Sequence, residues 1–167
     1  NGAAYGGGCE LVTAVDFSYA SENAIFAQTE TKLGIIPGAG GTQNLTRAIG
    51  ERRSKEYILT GKSFDAFEAH QMGLINKVVK KDELINEILL VANRIAENAP
   101  IAVKQAKKSI NLGLQMSLRD GLDFEIEAYN RTIDTEDRYE GIRAFNSKRK
   151  PNFKGKWIII TLKIFFL

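Results

Sequence analysis

Cysteine is almost missing from this chain: Cys9 is the only one, so no intrachain disulfide can form and a reducing compartment is the default expectation. Histidine is equally scarce. With His70 alone, neither a zinc cluster nor a Ser-His or Cys-His couple can be assembled in the usual way, and no metal or redox cofactor is expected. Concentrated charge of one sign is lacking as well. The net charge is +3 and the lysines and arginines are spread along the chain, which supports weak steering of an anionic partner and no more. There is no internal repeat, no low-complexity linker and no aromatic-basic RNA-recognition motif. The one long apolar run, Trp157 through Leu167, is interrupted by Lys163 and is shorter than the ~20 residues a membrane-spanning helix needs. It reads as a strand-prone extension with an aggregation hazard, and no membrane partner is expected. An initiator Met is also missing, and the chain opens on a glycine-rich loop, so it reads as the later part of a longer protein.

What the chain does have is Gly6-Gly7-Gly8-Cys9-Glu10-Leu11. Consecutive glycines leave the main chain unshielded, so amide N–H groups can approach a ligand oxygen closely. A helical pattern starts just afterwards and adds the positive end of its dipole to the same place. Glu10 lies beside this anion site, and Gln28-Thr29-Glu30 supplies a second carboxylate from a later segment, giving a candidate general acid and general base. Taken singly, neither glutamate carries the argument: Glu10 fits a first-turn acid facing the helix dipole, and Glu30 fits a solvated side chain. Their meaning comes from the constellation.

With 167 residues and 44% hydrophobic content, the chain has the size and make-up of an ordinary globular domain. Residues 9–15 read as a short helix, while 17–21 and 24–28 read as brief strands. Helices are expected over 41–49, 52–59 and 66–72, the last opened by Asp65 with Glu68 and closed by Gly73. Residues 74–79 return to a strand. From Asp82 the pattern is helical: Leu84, Ile88, Val91 and Ile95 share a face, a further helix covers 101–112, and Ser117 with Asp120 and Asp134 with Asp137 look like caps of two more.

Other motifs carry less. Pro37-Gly38-Ala39-Gly40-Gly41 lacks the last glycine of a dinucleotide loop because Gln43 stands there, and reads as a tight turn into a helix that shapes a pocket. Gly61-Lys62-Ser63 is not a phosphate loop, since Glu56 occupies the place of its leading glycine. His70 reads as a surface residue and Cys9 as a small packed one. The sequons at Asn44 and Asn130 lie in helical patterns and read as chance.

The segments Asn1 through Leu11, Ile36 through Gln43, Leu59-Thr60-Gly61, Ala69 through Ile75, Glu140 through Phe145 and Lys148-Arg149-Lys150 together resemble the crotonase superfamily, and within it the enoyl-CoA hydratases. The resemblance covers about residues 1–156. It implies an α/β fold in which 1–80 is the C-terminal part of a crotonase-like ββα spiral and 81–156 a helical trimerisation region, leaving 157–167 as a non-family apolar tail. It further implies a homotrimer or hexamer, a CoA thioester as substrate, no cofactor, and an N-terminal half that carries a first oxyanion amide. Matching by residue makes Gly7 N–H the second oxyanion donor and Glu10 and Glu30 the pair that activates water. Gly6, Pro37 and Gly38 fall at the acyl site, and Phe145 and Lys148 match positions that reach CoA of a neighbouring subunit. A basic, solvated helix end explains those last two equally well. Asn44 and Thr29 depart from the usual arginine and proline, which leaves the acyl pocket open.

The expected reaction is hydration of trans-2-enoyl-CoA to 3-hydroxyacyl-CoA, in fatty-acid or branched-chain amino-acid breakdown. Related isomerases usually keep only the glutamate matching Glu30, so Glu10 favours the hydratase. Glu30-Thr31-Lys32-Leu33 is similar to the methylglutaconyl-CoA hydratase subgroup, whose members also bind AU-rich RNA. RNA binding is therefore the runner-up, and an inactive oligomerisation fragment the third reading. A mitochondrial location is favoured, or cytoplasm if the source is bacterial.

Overall fold

In the computed structural model, residues 1–158 are described, so the apolar run from 159 to 167 lies outside the described residues. The chain forms two compact units, Asn1–Leu90 and a second beginning at Val91.

The first unit is built on short strands. β1 (Ala3–Tyr5) pairs in parallel with β3 (Ile25–Ala27), which pairs antiparallel with β4 (Phe64–Asp65). A second parallel pair joins β2 (Tyr19–Ser21) to β5 (Lys77–Val79). Between β1 and β2 the chain makes helix α1 (Gly7–Ala14), and after β3 it makes a 3₁₀ turn (Glu30–Leu33), then α2 (Gly41–Ile49) and α3 (Glu51–Thr60). The core beneath these elements is apolar: Phe26 stacks on Phe64 with ring centroids 5.7 Å apart, and Leu45, Ile49, Tyr57 and Ile58 close round them. Helix α4 (Ala66–Gln71) starts where the sequence places it. Asp65 accepts from Glu68 N–H at 2.8 Å and Glu68 accepts from Asp65 N–H at 3.1 Å, a reciprocal cap that satisfies two donors.

Several expected boundaries move. Helix α1 begins at Gly7, because Gly6 alone supplies its cap conformation. The strand expected over 74–79 shortens to β5, since Leu74 N–H donates to Ala69 O and so belongs to the end of the preceding helix. Strands β1 and β4 are too short to show a period and were not expected.

The second unit is helical. Helix α5 (Leu84–Ala96) contains the boundary, followed by α6 (Pro100–Gly113), α7 (Leu118–Ile133) and α8 (Glu136–Asn146). Proline at the first position of α6 loses only an N–H that would be unpaired there anyway. Ser117 caps α7 as expected, through its Oγ and Asp120 N–H. Asp134 does not cap α8. It closes α7, and Thr135 takes the cap by accepting from Arg138 N–H at 3.2 Å. Asp137 is buried and instead accepts from the Lys154 and Gly155 amides at 2.6 and 2.8 Å, tying the end of the chain to α8. Leu118, Leu122, Ile126 and Tyr129 form an exposed apolar stripe on α7. Among the described residues no helix is long and apolar enough to cross a membrane.

Candidate active site

The pairing of β1 with β3 sets two loops side by side. Tyr5 pairs with Ala27, so Gly6 and Gln28 leave the C-terminal ends of adjacent parallel strands, and Gly6 N–H donates to Ala27 O at 2.9 Å. Ligand sites in α/β sheets collect at such carboxyl ends.

At the first loop Gly6 adopts φ 53 and ψ −124, a backbone conformation that only glycine takes readily. A Cβ on Gly6 would also lie 3.3 Å from Glu30 Oε1. Gly7 follows as the first residue of α1, exposed, and its N–H donates to no acceptor among the described residues. An open amide at a helix start is suited to hold developing negative charge.

Glu10 is not the solvated dipole acid that its position alone would suggest. Its residue is 4% exposed, and Oε1 accepts from the Ala39 and Gly41 amides at 2.7 and 2.9 Å. Those amides come from the turn Pro37 to Gly41, which closes tightly because Gly40 takes φ 102 and Gly41 carries no side chain. A Cβ on Gly41 would stand 2.8 Å from Pro37 Cβ and 3.0 Å from Glu10 Cγ. Oε2 of Glu10 has no partner among the described residues and remains available.

Glu30, at the start of the 3₁₀ turn, is 8% exposed and likewise not a solvated acid. The fully buried amide of Gln28, with its nitrogen turned to the carboxylate, donates to Oε1 at 3.1 Å and Oε2 at 3.2 Å. The other terminal atom of that amide lies 2.8 Å from where a Gly41 Cβ would be, so Gln28 spans from Glu30 to the turn that holds Glu10. Sequence reasoning missed Gln28 and Gly41. A polar residue ending a strand beside a glutamate was the signal for the first, while the second became visible only through long-range packing.

Cys9 lies in the core, where burial first, then the charges of Glu30 and Glu10, push its thiol up to about 12 against an opposing backbone hydrogen bond with Ala27. It is a packed residue rather than a nucleophile at neutral pH. Gly41 packs against both Glu10 Cγ and the Gln28 amide that bonds Glu30, which sets the two carboxylates round a common region. His70 is exposed, its Nδ1 3.3 Å from Ile75 O. Among the described residues no group of three or more His, Cys, Asp or Glu side chains is placed to hold a metal ion.

Gly6, Gly7, Glu10, Glu30, Pro37 and Gly38 thus gather round the two loops of the first unit, Pro37 buried and Gly38 exposed. Phe145 and Lys148 belong to the second unit, at the end of α8, where Phe145 is 83% exposed.

An open amide at a helix start beside two buried, hydrogen-bonded carboxylates has the make-up that acid-base chemistry next to a developing anion requires. The family model described as enoyl-CoA hydratase/isomerase matches residues 1–156, and the chain belongs to this family, within the crotonase superfamily. Its α/β architecture matches solved crotonase-fold structures: an enoyl-CoA hydratase from Bacillus anthracis is 49% identical with a TM-score of 0.92, over 93% of this chain and 60% of that one. A short-chain-enoyl-CoA hydratase of Clostridium acetobutylicum is 47% identical over 93% of this chain and 60% of its own length. A probable mitochondrial enoyl-CoA hydratase 2 of Arabidopsis thaliana is 46% identical over 92% of this chain and 51% of its own length. The chain therefore spans between about half and three-fifths of the length of these relatives.

Proposed function

We propose that the whole protein to which this chain belongs hydrates trans-2-enoyl-CoA thioesters to 3-hydroxyacyl-CoA. The observation that carries this reading is the joint placement of Glu10 and Glu30, both buried and hydrogen-bonded, beside the unbonded Gly7 N–H. As water adds at C3, negative charge gathers on the thioester oxygen, and Gly7 N–H stabilises that enolate together with a donor from outside residues 1–167. One glutamate takes a proton from the water and the other delivers one to C2. No metal or redox group is needed for a step of this kind.

Gly6 and Pro37-Gly38 shape the acyl end of the pocket, whereas Phe145 and Lys148 offer an aromatic face and a cation to the nucleotide end of CoA held by a neighbouring subunit. The apolar stripe on α7 supports association into a trimer or hexamer. A mitochondrial setting, or the cytoplasm of a bacterium, fits the same chemistry.

The test is hydration of crotonyl-CoA and 3-methylglutaconyl-CoA by the whole protein, by Glu10→Gln and by Glu30→Gln. Each variant is expected to lose about 10²–10⁴ in kcat while keeping its fold. Activity with neither thioester, or variants as fast as wild type, would overturn the reading.

A further inference from the structure

The end of α8 adopts a conformation that its residue type does not favour. Ser147 caps the helix, Lys148 follows at φ 51, and the Lys148 and Arg149 amides return to Phe145 O and Ala144 O at 3.1 and 3.0 Å. This paired closure normally places glycine at the left-handed position. Lys148 is the only non-glycine residue at positive φ among the described residues. Its side chain is exposed and has neither an ion pair nor a hydrogen bond among them. The helix dipole does not account for this, because Arg149 and Lys150 already supply cations at the same helix end.

The neighbouring residue holds the turn. Arg149 closes a fork on Glu140, Nη1 to Oε1 at 2.6 Å and Nη2 to Oε2 at 2.9 Å, and Asn152 N–H adds a bond to Oε1 at 2.9 Å. Glu140 stands one turn before Ala144, so these bonds fold the chain after Lys148 back along α8. Arg149 first, then the Asn152 amide, hold the Glu140 carboxyl down at about 2, which keeps the fork closed through neutral pH. Phe145 is highly exposed on the same turn. A bare aromatic ring and an unpaired cation sharing one helix end suit the base and phosphates of a nucleotide.

Resting on the hydratase reading above, we infer that Glu140 and Arg149 are positioning residues, whose fork keeps Lys148 left-handed so that its ammonium meets the nucleotide phosphates of CoA held by a neighbouring subunit. Neither of them touches the thioester.

The experiment uses the whole protein as wild type, Glu140→Gln, Lys148→Gly and the double variant. The substrates are crotonyl-CoA and crotonyl-pantetheine, which keeps the thioester and lacks the nucleotide. Glu140→Gln is expected to raise KM for crotonyl-CoA by about 2- to 5-fold, the loss expected of one solvent-exposed charge pair, with kcat unchanged. The KM for crotonyl-pantetheine stays at its wild-type value. With Lys148→Gly already present, Glu140→Gln adds nothing, because the positioned charge is gone. Equal KM shifts for both substrates, an effect that persists without Lys148, or no KM change at all would each overturn the positioning role while leaving the hydratase reading standing. A wild type inactive on both thioesters would overturn that reading and this inference with it.

Discussion

A single methyl group at Gly41 measures how tightly Glu10 is built into the site. In Gly41→Ala the new Cβ would stand 2.8 Å from Pro37 Cβ, 2.8 Å from the Gln28 amide and 3.0 Å from Glu10 Cγ. Carbon contacts are comfortable at about 3.5–4.0 Å, so each neighbour must retreat by roughly 0.5 Å or more. None of them is a loose side-chain end: Pro37 is buried, Gln28 is bonded to Glu30, and Glu10 is held by the Ala39 and Gly41 amides. Overpacking of this kind costs about 1–3 kcal/mol. Stretching one hydrogen bond to a charged acceptor adds about 1.5 kcal/mol, so a total of roughly 2.5–4.5 kcal/mol is expected in denaturant unfolding of the whole protein. The hydration rate should fall with it, since a displacement near 1 Å of a reacting group costs about 10²-fold. Gly38→Ala is the stability control, because no atom lies within 4 Å of its added Cβ. Its unfolding should stay within about 0.5 kcal/mol of wild type. If Gly41→Ala unfolds together with Gly38→Ala and wild type, the close packing round Glu10 is refuted.

Cys9 gives two further tests. With its thiol pushed up to about 12 in the fold, alkylation at pH 8 should be on the order of 10³-fold slower in the native protein than after unfolding, and equal rates would contradict its burial. The sign for stability follows from the same shift: above the ordinary value of 9.0 the unfolded thiol releases its proton while the folded one keeps it. Unfolding free energy should then fall as pH rises from about 9 to about 12, by up to about 1.4 kcal/mol per unit, and Cys9→Ala should remove that slope. Asp137→Ala strands the Lys154 and Gly155 amides beside α8 and should cost about 1–3 kcal/mol in thermal unfolding, whereas a wild-type midpoint would mean that water replaces the carboxylate at no cost.

Local signals were legible in the sequence. Asp65 with Glu68, Ser117 with Asp120 and the bounds of α2 all rest on contacts within a few residues, and the structure keeps them. Asp134 misled because Thr135 beside it is an equally good cap, and which of the two wins depends on where the end of the chain returns to α8. The glycine triplet pointed to an anion site, and its first strained φ falls at Gly6. What local pattern does not carry is the contact between distant segments. The Ala39 and Gly41 amides on Glu10 and the Gln28 amide against Gly41 exist only once the strands and helices are packed.

Hydration by this site turns on where the thioester oxygen sits. In a crystal structure of the whole protein with an unreactive enoyl-CoA analogue, that oxygen should lie about 2.7–3.1 Å from Gly7 N, with Glu10 and Glu30 facing the C2–C3 bond across one water. A thioester bound with its oxygen away from Gly7, or with C3 out of reach of both carboxylates, would contradict it.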